Sequence, residues 1–151
     1  MNIQVKPYES TWHEQLVEIW ERAVRATHHF LSEDDIVFYR TAVRDQALTS
    51  YEVRVAVNEE SHPVGFIGTE GSHVEMLFVD PLVHGQGVGR ELIQDAMKQA
   101  GPDLSVDVNE QNEQAALFYQ RLGFHQVGRS ELDSSGRPFP ILHLKFINGS
   151  E

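Results

Sequence analysis

The stretch VDPLVHGQGVGRELIQ, residues Val79–Gln94, has three glycines at alternate positions between an apolar segment and a helical pattern. The apolar segment HVEMLFV, His73–Val79, predicts a strand that stops at Asp80-Pro81, because proline cannot donate to a sheet ladder. After the glycines, apolar residues recur at helical spacing: Leu92, Ile93, Ala96 and Met97. The predicted order is therefore strand, glycine loop, helix.

Gly85, Gly87 and Gly89 allow backbone amides to approach a ligand without interference from a Cβ atom. The N-terminus of the following helix adds partial positive charge, so the loop can hold phosphate groups. A dinucleotide fingerprint would need a glycine where Arg90 stands, and a nucleotide-hydrolase loop needs a Gly-Lys-Ser/Thr sequence that the chain lacks. Two interpretations stay open here: a pyrophosphate cradle of another type, and a tight turn with glycines at positive φ.

Strands and helices interleave along the rest of the chain. The other predicted strands are Ile3–Tyr8, Tyr51–Val57, Val64–Glu70, Leu104–Val108, FHQVGRSEL and PILHLKF, the last two joined by Asp133–Pro138. The predicted helices run from a capping box at Thr11–Glu14 to about Thr27, onward from Ser32, over Arg90–Ala100, and from about Gln111 to Leu122 before Gly123. This order favours one α/β domain over residues 1–151, with helices on the faces of a mixed sheet.

Composition excludes several classes of protein. The 151 residues contain no cysteine, which excludes disulfides, thiolate zinc sites and a cysteine nucleophile. The net charge of −11 argues against nucleic acid as a partner. The N-terminus has no signal pattern, and no apolar run approaches the roughly 20 residues that span a bilayer. We therefore expect a cytoplasmic protein with no membrane partner.

Two motifs resemble those of a known family. His84-x-x-Gly87-x-Gly89, after Leu77-Phe78-Val79-Asp80-Pro81, resembles the acetyl-coenzyme A loop of the GNAT N-acetyltransferases, Arg/Gln-x-x-Gly-x-Gly/Ala. Histidine departs from that pattern at the first position, but the cradle is mostly backbone. NEQAALFYQRLGF is similar to the family's later motif, with five residues in register: Asn112, Ala115, Tyr119, Gly123 and Phe124. IWERAVRATHHFL and DSSGRPFPILHL extend the resemblance, to bacterial YjaB-type members.

The resemblance implies a single GNAT-like domain: a mixed, mostly antiparallel twisted sheet of about seven strands flanked by about four helices. It also implies transfer of acetyl from acetyl-CoA to a primary amine of a small molecule or protein, by direct attack in a ternary complex and without a metal. The implied cofactor-binding residues are Leu77, Phe78, Val79, His84, Gly85, Gln86, Gly87, Val88, Gly89, Arg90, Asn112 and Tyr119.

Direct attack on a thioester needs a polarising group, a proton acceptor and a proton donor. The resemblance assigns polarisation to main-chain amides near Leu77 and Val79, and assigns protonation of the leaving sulfur to Tyr119. Without the motif, the sequence would instead indicate a packing role for Tyr119, as a half-buried aromatic residue beside Leu117 and Phe118.

Two carboxylates are candidates for the base. A two-residue period puts His73, Glu75, Leu77 and Val79 on one strand face, which makes Glu75 the first candidate. Asp107 is the second, because its strand is expected to neighbour that of Glu75 and to separate from it near the cofactor arm. Water is the alternative proton acceptor. In that case both acids would be solvated residues of the sheet without a role in proton transfer.

The resemblance also implies that the acceptor binds near the end of the first helix. His28 and Phe30, with His73, are the predicted substrate-binding residues, and packing at the helix end is the alternative for the first two. Metal binding by His28 and His29 is not expected, because adjacent helical side chains diverge.

Two other functions stay open: a non-catalytic acetyl-CoA sensor, and an O-acyltransferase or longer-chain acyltransferase. Either a monomer or a homodimer is compatible with the sequence.

Overall fold

A seven-stranded sheet forms the centre of the computed structural model, which describes residues 2–147. Its strands are β1 (Gln4–Pro7), β2 (Glu52–Val57), β3 (Pro63–Glu70), β4 (His73–Val79), β5 (Ser105–Asn109), β6 (Phe124–Ser130) and β7 (Ile141–Phe146). They lie in the order β1-β2-β3-β4-β5-β7-β6. Every neighbouring pair is antiparallel except β4 and β5, which run parallel. The predicted mixed, mostly antiparallel sheet is confirmed.

Four longer helices and one short turn of helix flank the sheet. They are α1 (His13–Thr27), α2 (Glu33–Ala42), the one-turn α3 (Leu48–Ser50), α4 (Val88–Ala100) and α5 (Glu113–Leu122). Helix α1 contacts β3 and β4, α4 contacts β1 to β4, and α5 contacts β5 and β6. The helices therefore cover both faces of the sheet, as the interleaved pattern predicts.

The predicted starts of the first two helices have different outcomes. Ser32 caps α2, because its hydroxyl accepts from the Asp35 amide at 3.1 Å while the Asp35 carboxylate accepts from the Ser32 amide at 3.0 Å. The capping box at Thr11–Glu14 is wrong. A 3-10 turn over Ser10–Trp12 leads directly into α1, so Thr11 is not the cap, and Glu14 instead pairs with Arg44 at 3.2 Å.

The core has one layer on each face of the sheet. On the α1 face the buried residues include Leu16, Val17, Ile19, Trp20, Val24, Val55, Phe66 and Met76. On the face of α4 and α5 they include Val88, Leu92, Ile93, Ile67, Val106, Tyr119 and Leu144. Val37 of α2 is 62% exposed, because α2 packs through Ile36 and adjacent helical side chains diverge.

A one-residue irregularity interrupts β4. Gly68 pairs with Met76 and Thr69 with Val74, which leaves Glu75 as an extra residue without a partner on β3. Val74 consequently packs in the same core layer as Leu77 and Val79, three and five residues later. The prediction that His73 shares one face with Leu77 and Val79 is therefore wrong, because the extra residue shifts the two-residue period.

Strands β4 and β5 separate soon after they meet. Only two pairs join them, His73 with Ser105 and Val74 with Val106. Further along, Leu77 and Val79 pair with β3 but not with β5. Backbone polar groups on the β5 side of β4 are therefore available to a ligand in the gap.

Candidate active site

The glycine loop turns the chain from β4 into α4. Gly85 and Gly87 have φ of +81° and +84°, and a Cβ on either would meet nothing within 4 Å, so these positions need glycine for conformation and not for space. Gly89 differs, because a Cβ there would approach Phe118 of α5 at 3.0 Å. Helix α4 begins at Val88, two residues before the predicted start, and Gly87 is its N-cap. Its first amides therefore point into the loop without helical partners.

A large cleft of about 540 Å³ lies between this loop, the free edge of β4 and α5. Of the predicted cofactor-binding residues only Gln86 does not line it; those that do are Leu77, Phe78, Val79, His84, Gly85, Gly87, Val88, Gly89, Arg90, Asn112 and Tyr119. A concavity of about 660 Å³ near Glu52 and Gln99 is bigger, but it contains none of the predicted site residues. The large cleft is therefore the candidate site.

A small cleft of about 110 Å³ occupies the gap between β4 and β5. Both candidate bases, Glu75 and Asp107, line it. The residues that line both clefts are His28, Leu77, Phe78, Asn112, Ala115 and Tyr119. The two clefts consequently meet where the predicted proton donor and proton acceptors come together.

Tyr119 is packed and protonated. It is 5% exposed, with its ring centroid 5.0 Å from that of Phe118 and 5.2 Å from that of Phe124. Burial raises the pKa of the Tyr119 phenol well above its usual range, so it carries its proton at any physiological pH. Within residues 2–147 its hydroxyl has no hydrogen-bond partner, so a ligand in the clefts can accept its proton.

Glu75 has a proton affinity above that of an ordinary glutamate. Partial burial raises the pKa of its carboxyl, and the nearby charges of Glu70 and Asp107 raise it further, against the opposing effect of His73. A carboxylate with a raised pKa is a stronger proton acceptor than one with an ordinary pKa.

Asp107 lies between two histidines. Its carboxylate accepts from His143 Nδ1 at 2.6 Å and lies 3.4 Å from His73 Nε2. The opposite ring nitrogens contact serine hydroxyls at 2.6 Å, Ser130 for His143 and Ser105 for His73. His143 was not predicted as a site residue, although it alternates with apolar residues in PILHLKF and pairs directly with Asp107 across β5 and β7.

The segment after β6 forms a wall beside His28. Phe30 lines neither cleft; it contacts His28 at 5.3 Å and Phe139 at 5.7 Å between ring centroids. Arg137 donates to Asp35 at 2.5 Å and lies 4.2 Å above the Phe38 ring, which fixes the segment to α2. This wall could not be predicted from the sequence, because its two sides are about a hundred residues apart in the chain.

A metal site and a membrane-spanning helix are both absent from the part of the chain that the structure describes. No group of three or more histidine, aspartate and glutamate side chains in residues 2–147 is arranged to hold a metal ion. Over the same residues, no helix has the length and apolar character needed to cross a membrane.

Comparison with known proteins gives one consistent result. A family model described as an acetyltransferase (GNAT) domain matches residues 11–140. The peptidyl-lysine N-acetyltransferase YjaB of Escherichia coli (strain K12) is 48% identical over 137 residues, covering 89% of this chain and 90% of that protein. YjaB of Salmonella typhimurium is 44% identical over 134 residues, covering 87% and 89%.

Solved structures agree with the sequence comparisons. The solution structure of apo-form YjaB from Escherichia coli matches with a TM-score of 0.91 and 45% identity, covering 97% of this chain and 99% of that one. The PaiA N-acetyltransferase of Thermoplasma acidophilum, solved in complex with coenzyme A, matches with a TM-score of 0.73 over 97% and 100% of the chains. At 19% identity, the second likeness concerns the fold alone.

Proposed function

Since this chain belongs to the GNAT acetyltransferase family, we propose that its large cleft binds acetyl-CoA and that the acetyl acceptor is a lysine side chain of a peptide or protein. The two YjaB relatives, both named peptidyl-lysine N-acetyltransferases, support a peptide acceptor over a small amine. The observation that carries the proposal is the meeting of the two clefts at the β4–β5 gap. A thioester and an amine can approach each other there from opposite sides.

The residues of the large cleft fit the cofactor. Free amides at the start of α4 and the two positive-φ glycines, Gly85 and Gly87, suit a pyrophosphate. The unpaired side of β4 at Leu77 and Val79 suits the amides of a pantetheine arm, which would add to the sheet as a short strand. Bound acetyl-CoA supplies an activated acetyl group as a thioester.

The proposed chemistry divides proton transfer between the two clefts. Glu75 accepts a proton from the lysine ammonium, directly or through water, so that the neutral amine can attack. Main-chain amides of β4 near Leu77 and Val79 stabilise the developing oxyanion. Tyr119 donates its proton to the departing sulfur. Direct transfer requires both substrates to be bound at once. The meeting of the two clefts supports such a ternary complex.

The function is tested with acetyl-CoA and a short peptide that contains one internal lysine. We expect release of free thiol and a matching gain of one acetyl group on the peptide. Acetyl-CoA alone should raise the melting temperature, while a nicotinamide dinucleotide should leave it nearly unchanged. Binding of acetyl-CoA without thiol release over a broad panel of amines would instead support the sensor, and acetylation of a matched serine peptide would support the O-acyltransferase.

Replacement of the two carboxylates should identify the base. In the wild-type protein, kcat/KM should fall with decreasing pH as Glu75 takes up a proton, at a pH above the ordinary glutamate range because the pKa of Glu75 is raised. Glu75→Gln should lower activity and remove or shift this acidic limb. Asp107→Asn is the matched control and should change the profile little.

Two outcomes would contradict this assignment. A larger loss in Asp107→Asn would show that Asp107, between its two histidines, is the base. An unchanged limb in both variants would mean that water deprotonates the amine and that both acids are structural.

A further inference from the structure

The side chain of His28 stands at the junction of the two clefts. Helix α1 ends at Thr27, and His28 leaves the helical path with φ −108° and ψ 62° while its amide still donates to Val24 O at 2.7 Å. Its half-buried ring lines both the large and the small cleft. Of the six residues that line both, only His28 and Tyr119 bring a titratable side chain to the junction.

Hydrogen bonds to Thr27 fix the position of the imidazole proton. The Thr27 hydroxyl donates its single proton to Ala23 O at 2.8 Å. The same oxygen lies 2.8 Å from His28 Nδ1, so in this contact it must accept and Nδ1 must carry the proton. In the neutral ring Nε2 is therefore an unprotonated acceptor, and it has no hydrogen-bond partner within residues 2–147.

The ring remains neutral and is held in place. Burial, with a smaller contribution from the neighbouring charge of His29, lowers the pKa of His28 to about 4. Contact with Phe30, itself against Phe139, holds the imidazole plane from the side of the wall. A lysine ammonium arriving at the junction therefore meets a neutral acceptor and not a like charge.

We propose that His28 Nε2 accepts a hydrogen bond from an N–H of the acceptor amine and so aims its lone pair at the thioester carbon. This inference rests on the proposed function and adds to it a positioning residue with a defined tautomer. A neutral amine has two N–H groups and one lone pair, so holding one N–H restricts where the lone pair can point. Such a weakly basic imidazole does not keep the proton, which leaves by Glu75 or water.

Kinetics of three variants test the role of His28. His28→Phe keeps the contact with Phe30 but removes the acceptor, so kcat/KM for the lysine peptide should fall about tenfold, the worth of one hydrogen bond to a substrate. The Kd for acetyl-CoA should change less than about twofold. His28→Gln, whose amide oxygen can replace Nε2, should recover part of the loss, and His29→Phe is the control on the exposed neighbouring residue. Unchanged kinetics in His28→Phe would overturn the inference while the proposed function stands.

Nitrogen-15 NMR of the intact protein gives a readout that needs no turnover. The His28 ring should show a protonated Nδ1 and a bare Nε2 at neutral pH, and the Nε2 resonance should move when the lysine peptide is added with free coenzyme A. A proton on Nε2 at neutral pH, or no movement with the peptide bound, would overturn the inference. A peptide that is bound but not acetylated when acetyl-CoA is supplied would contradict the proposed function instead.

Discussion

Tyr119→Phe is expected to lower kcat by about 10²-fold or more while leaving the affinity for acetyl-CoA nearly unchanged. The substitution keeps the ring that packs between Phe118 and Phe124 and removes only the hydroxyl. That hydroxyl has no hydrogen-bond partner within residues 2–147, so its loss leaves no protein group unsatisfied. Without a proton donor, the sulfur must leave as a thiolate or take its proton from water.

The measurement is steady-state turnover together with calorimetric binding of acetyl-CoA. Tyr51→Phe serves as the matched control, because Tyr51 lines neither cleft. A lower melting temperature with normal turnover in Tyr119→Phe would support the packing interpretation and remove Tyr119 from the chemistry.

Gly87→Val is expected to abolish the rise in melting temperature that acetyl-CoA produces. At φ +84° a branched side chain strains the backbone by about 1–3 kcal/mol, so the loop should relax to another conformation. Since nothing lies within 4 Å of the added Cβ, the fold around it should survive. The relaxed loop would no longer direct the first amides of α4 at a pyrophosphate.

Gly71→Val separates strain from ligand binding. Gly71 also has positive φ, +59°, and open space around its Cβ, but it lies in the turn between β3 and β4. Both variants should lower the melting temperature of the ligand-free protein, and only Gly87→Val should lose the shift with acetyl-CoA. A retained shift in Gly87→Val would show that the loop does not hold the cofactor.

The features that local sequence decides could be predicted. Alternation and turn residues located the seven strands, and the glycine loop located the large cleft, because both patterns act over a few neighbouring residues. The one-residue irregularity at Glu75 could not be predicted, since it depends on how β4 aligns with β3. Strict alternation therefore gave the wrong face for His73.

Long-range contacts account for the rest of what the sequence did not predict. His143 and Asp107 lie 36 residues apart in the chain and meet across β5 and β7, and Arg137 reaches Asp35 over 102 residues. The local sequence does not indicate either pairing, because a histidine in a strand and an arginine in a loop are both common. The tautomer of His28 depends on a threonine proton that goes to Ala23, which is visible only once the helix end is built.

The early separation of β4 from β5 also divides the sheet mechanically. Strands β1 to β4 form one plate and β5, β7 and β6 another, joined along the seam by two residue pairs at the His73 and Val74 end. A pantetheine arm lying in the seam would supply the backbone hydrogen bonds that the two plates do not make with each other. We therefore expect ligand occupancy to change the cooperativity of unfolding: the empty protein should open first at the seam, and the loaded protein should unfold as one continuous sheet.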